Sequence, residues 1–168
     1  MIANFATVLL LLSSSASVLG APTPINDLGT GLVKRDWAAD KDKMKTMLDS
    51  TGESLKDMLL AVNKNDDKEV RNQWMQGMIK VNDAFSGINL FCFHRHTDNI
   101  KWGIAEGADY IESDHTIKMG LNEWAYLCVA FPQGTDATIT NSGDHGYLNW
   151  GISGVFDSED DGNTAHFH

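Results

Sequence analysis

The chain has 168 residues, 13 basic and 23 acidic, giving a formal charge of −10 at neutral pH. A balance this acidic repels phosphate backbones and anionic lipid headgroups, so no nucleic-acid partner is expected, while cationic surfaces and neutral glycans stay open. The length suits one domain with a real core and leaves no room for two ordinary ones.

Met1 to Thr7 is a short start whose positive charge is the amino terminus alone. Val8 to Leu12 is a compact apolar run that weakens through Ser13 to Leu19. Val18-Leu19-Gly20 then sets small or modest residues where a signal peptidase reads. Residues 1–20 are therefore expected to be a secretory signal peptide, too short to remain as a bilayer span. Residues 21–35 are polar, carry Pro and Gly, and end in Lys34-Arg35. That pair resembles a kexin-type processing site, and the whole leader is similar to those of small secreted fungal preproproteins. The resemblance implies a propeptide over residues 21–35, a mature start at Asp36 and an extracellular destination. Cleavage there leaves 133 residues and a formal charge of −11. No later segment is apolar for long enough to span a bilayer, so stable membrane anchoring is not expected.

Residues 36–86 read as helical. Trp37, Met44, Met47, Leu48, Leu55, Met58, Leu59 and Val62 recur at three- and four-residue spacing, with charged residues on the other face. Gly52 interrupts this stretch and would bend or divide it, at about 1 kcal/mol relative to Ala. Asn63 to Asp66 is a loop, and Asp66 or Asp67 caps a second helix with Glu69 in its first turn. Val70, Trp74, Met78, Val81 and Phe85 form its stripe, which Gly87 ends. Two short-linked amphipathic helices make an antiparallel hairpin.

Residues 87–168 change to strand chemistry. Candidate strands are Ile88 to Thr97, Ile100 to Ile104, Tyr110 to Glu112, His115 to Met119, Trp124 to Phe131, Thr138 to Thr140, Tyr147 to Phe156 and Thr164 to His168, separated by Gly, Asn and Asp clusters. The expected fold class is α+β: an amphipathic helical hairpin packed on an antiparallel β-sheet or small sandwich.

Cys92 and Cys128 are the chain's cysteines. In an exported protein an even pair reads most simply as one disulfide, worth roughly 3–4 kcal/mol for a loop of this length. Alternation puts Leu90, Cys92, His94 and His96 on one face, and Trp124, Tyr126 and Cys128 on one face of a second strand. The bond would gather Leu90, Trp124 and Tyr126, with the two histidines continuing that face to the strand end. There they line an open cleft or form the polar rim of a core.

His166 and His168 are likewise two apart on a strand. If their strand neighboured that of His94 and His96, four imidazoles would meet and suit zinc or copper; otherwise they are surface histidines. Asp157, Glu159, Asp161 and Gly162 follow the order of a calcium-loop start, but His168 stands where its bidentate glutamate belongs, so a hairpin loop with solvated acids is the alternative. No cofactor is expected. The segment from Asn141 to Gly151 reads as a tight exposed loop feeding a strand. Its Asp144, His145, Tyr147 and Trp150 would form a sugar- or protein-contacting rim, or Trp150 would fill the core.

Enzyme signatures are weak. Ser153 in Gly-Ile-Ser-Gly lacks the full nucleophile elbow. Small secreted guanyl-specific ribonucleases combine a helix and an antiparallel sheet with His, Glu and Arg catalysis. His96, Glu123, His145 and Arg95 supply those residue types without that family's spacing. The sequence therefore leads to a secreted effector, elicitor or toxin-like virulence factor that binds an extracellular protein or glycan. A small hydrolase such as a ribonuclease, or a membrane-active toxin whose helices insert, are the alternatives.

Overall fold

The computed structural model describes residues 37–63, 65–143 and 148–168, the side chain of Asp161 apart. The chain is α+β. Helix α1 spans Trp37–Val62 and α2 spans Asp67–Lys80, continued by a 3-10 turn over Val81–Ala84. Eight strands follow: β1 Ile88–His94, β2 Ile100–Ile104, β3 Ile111–Met119, β4 Asn122–Pro132, β5 Ala137–Asn141, β6 Trp150–Ser153, β7 Phe156–Glu159 and β8 Thr164–Phe167. They form two antiparallel four-stranded sheets, ordered β3-β4-β1-β6 and β2-β5-β8-β7.

The layers are helices, first sheet, second sheet. The apolar stripes bury Met44, Leu48, Leu59, Val70, Trp74, Met75 and Met78 against Leu90, Cys92, Ile111, Ile117, Tyr126 and Cys128 of the first sheet. On β1 the intervening residues Phe91 and Phe93 face the other way, and with Leu127, Val129 and Phe131 of β4 they meet Ile139, Phe156, Ala165 and Phe167 of the second sheet. Strand β1 is thus buried on both sides, which is why it reads as a nearly unbroken apolar run.

Asp66 caps α2, its carboxylate accepting from the Glu69 amide at 3.0 Å. Gly52 does not divide α1, which runs unbroken from Trp37 to Val62. Its missing side chain serves a close approach instead: a Cβ there would overlap the imidazole of His115 on β3. Gly151 does the same for α2, since its Cβ would lie 2.7 Å from Ile79 Cγ1.

The first strand ends at His94, short of the expected Thr97, and three larger differences from expectation follow. The two expected strands Tyr110 to Glu112 and His115 to Met119 are one, β3, starting at Ile111, because Ser113 points inward and continues the alternation. Within the described residues the expected strand from Tyr147 to Phe156 is broken between β6, which starts at Trp150, and β7, which starts at Phe156: Gly154, at φ 126°, turns the chain from the first sheet to the second. Asp157 to Glu159, expected in a loop, pair with β8 as an edge strand.

Candidate functional site

Cys92 and Cys128 are direct cross-strand partners on β1 and β4 and form the disulfide, with Cα atoms 4.0 Å apart. The bond lies on the helix-facing side, and the same face runs to the end of β1. There α2, β1, β4 and the turn before β6 build a polar and aromatic rim.

Arg71 of α2 anchors the rim. Its Nε donates to the Tyr126 hydroxyl at 2.8 Å and its Nη2 to the Leu148 carbonyl at 3.2 Å. Asp67 lies 3.9 Å away, and the guanidinium sits 5.1 Å from the Trp124 ring centre. The Tyr126 hydroxyl in turn donates to the Leu148 carbonyl at 3.0 Å. Burial raises the Tyr126 pKa, against the bond and charge of Arg71.

His94 packs beside Tyr126 with ring centres 5.3 Å apart, and His96 meets it edge-on at 5.9 Å. His96 has left the strand for the following turn and is exposed. Both ring nitrogens of His94 are buried without a hydrogen-bond partner. Burial, then the charge of Arg71 and then His96, lower its pKa, so the ring is neutral at neutral pH.

The four-histidine arrangement does not form. β1 is in the first sheet and β8 in the second, because Phe167 and Phe93 alike turn inward to the core between the sheets. His166 instead projects from the outer face of the second sheet. It lies 3.3 Å from the Thr138 hydroxyl and 3.4 Å from Glu159, with His168 3.9 Å from Asp157. With Gly103 and Asp136 these histidines line an open groove of about 480 Å³. Among the described residues no three His, Cys, Asp or Glu side chains converge to hold a metal. The calcium-loop order fails for the same geometric reason: Asp157 and Glu159 are held along a strand that ends in a 3-10 turn over Asp160–Gly162.

Lys34, Arg35, Asp144, His145 and Tyr147 lie outside the described residues. Trp150 is in the core between the sheets. Of the ribonuclease-like set, Arg95 is paired with Asp114 at 2.8 Å and Glu123 with Lys118 at 2.8 Å.

Sequence reasoning missed one further set, beneath α1. The Ser113 hydroxyl donates to Asp49 at 2.5 Å and meets His115 Nε2 at 2.7 Å. The residue types are those of a hydrolytic triad, but the order is not. Serine sits between the carboxylate and the imidazole, its one proton is given to Asp49, and it is 0% exposed. Its burial leaves the hydroxyl out of reach of a substrate in this packing. Burial tends to raise the Asp49 pKa, but the bonds from Ser113 and Lys45 outweigh it and hold the carboxyl below its ordinary value.

Comparison with protein-family models, curated proteins and solved structures finds no match to this chain.

Proposed function

We propose that the chain is an exported protein that acts outside the cell by binding another protein or a glycan, as an effector or toxin-like factor, and not by catalysis. The observation that carries this reading is the contrast between the two polar clusters. The Asp49–Ser113–His115 set has the residues for chemistry, but its serine and imidazole are buried under α1 and only Asp49 reaches the surface. The rim has exposed His96 on a scaffold fixed by the bonds of Arg71 and Tyr126. A rigid polar and aromatic surface at a sheet end suits recognition, since little ordering is needed on contact. The disulfide is compatible with an oxidising, extracellular setting. The packed stripes speak against the inserting toxin, because Trp74, Met75 and Met78 would have to leave a filled core.

The test uses the secreted full chain against an array of neutral oligosaccharides and a defined panel of cell-surface proteins. The His96→Ala variant is read in parallel. Loss of a wild-type signal in the variant at unchanged melting temperature supports the rim as the contact surface. Binding that the variant retains contradicts it, and turnover of any array member overturns the non-catalytic reading.

A further inference from the structure

The layer joining α1 to β3 carries an unusual load of polar groups for a helix–sheet contact. Lys41 and the Trp37 indole both bond Asp109, just before β3. Lys45 donates to the Glu112 carbonyl at 3.1 Å, and Asp49 accepts from Ser113. At the centre His115, 5% exposed, is pressed against the Gly52 backbone, with the Trp74 ring centre 5.2 Å away edge-on. Because the Ser113 proton is given to Asp49, Ser113 can only accept from His115, which fixes the imidazole as the Nε2–H form. Its Nδ1 is left buried with no partner, facing Gly52. A proton added there would create a buried charged donor with nothing to receive it, at the point where the helix comes closest to the sheet.

We propose that His115 makes the docking of α1 an acid-labile clamp: protonation of its ring releases α1 from β3 while the two sheets, the first tied across β1 and β4 by the disulfide, stay folded. This regulation goes beyond the binding reading and does not depend on it.

The surroundings of the ring agree. On α1, Asp49 and Glu53 favour the charged ring and Lys56 opposes it; on β3, Asp114 favours it. The Tyr126 hydroxyl, on the cross-strand neighbour, stays neutral in the relevant range, and α2 offers the uncharged Trp74. Burial outweighs the three carboxylates, so the ring's pKa lies below its ordinary 6.5. The sign follows. The unfolded chain takes up the proton first, so stability is full above about 6.5 and falls as pH drops from there to the folded midpoint. The second sheet and the core behind it hold no part of this network.

Hydrogen exchange of the full chain, corrected for intrinsic chemistry, tests this from about pH 7.5 to about pH 5, alongside an NMR titration of the His115 ring. The opening of α1 should rise by up to about tenfold per pH unit below about 6.5, with β1 and β4 unchanged. His115→Gln, which keeps an amide for Ser113 but cannot titrate, should flatten that rise. The clamp is overturned if α1 and β1–β4 lose protection together, or if the rise persists in His115→Gln. It is equally overturned if the ring titrates at or above about 6.5 in the unaltered chain, a reading that stands even where the variant does not fold.

Discussion

The two cores on either side of the first sheet are built from different chemistry. The core under the helices is rich in methionine and leucine around Trp74 and takes in Ser113 and His115. The core between the sheets is aromatic: Phe91 alone meets Phe93, Trp102, Phe131 and Phe167 at 5.5 to 6.1 Å between ring centres. Unbranched methionines adapt to irregular helix surfaces, whereas interlocked rings fix one geometry. The difference teaches that one face of a sheet can be held rigidly while its other face is covered by a layer that local chemistry is able to loosen. Cys92–Cys128 ties together the two central strands that both cores share.

The largest effects should come from emptying each core. Trp74→Ala and Phe91→Ala should each cost roughly 3–5 kcal/mol in denaturant unfolding. They should differ in where protection is lost: Trp74→Ala opens α1 and α2 first, and Phe91→Ala opens the whole chain. Equal patterns would erase the distinction between the cores. Reduction of the disulfide should cost about 3–4 kcal/mol for its 36-residue separation, read as a lowered denaturation midpoint.

Gly52→Ala sharpens the comparison at one position. Helix propensity favours the change by about 1 kcal/mol. The overlap with His115 opposes it, and overpacking of a filled core costs about 1–3 kcal/mol. A net loss in melting temperature is expected, and a gain would mean that the imidazole is not pressed on the helix. The smallest effect belongs to the rim. Tyr126→Phe removes the hydroxyl that receives Arg71 and bonds Leu148, and should cost about 1–2 kcal/mol by thermal unfolding, with β5 and β8 unaffected in hydrogen exchange.

Much of this fold is legible in the sequence because burial is written as periodicity. The stripes of α1 and α2 and the opposed faces of β1 follow directly from spacing. Strands with misleading local composition were harder to read. Ser113-Asp114 looks like a break, yet Ile111, Ser113, His115 and Ile117 keep strict alternation, and that inward polar pair was the available signal for the buried network. Asp157 to Glu159 look like a loop because an edge strand on an outer face needs few apolar residues. The partition of strands between sheets was not legible, since local patterns carry no information about distant partners. That is why His94 and His166 lie on different sheets rather than side by side. Asp49 as the partner of Ser113, and Arg71 as the anchor of the rim, likewise required the packed helices.

The central claim is that the helices are a fixed cover for the first sheet at neutral pH, and methionine oxidation tests it directly. Met44, Met75 and Met78 are fully buried, whereas Met47, Met58 and Met119 are only partly so. Peptide mapping after mild peroxide treatment should find the first three oxidised at least about tenfold more slowly than the others, because thioether oxidation follows exposure. Equal rates across all six would show that the helices leave the sheet freely, and would contradict the account.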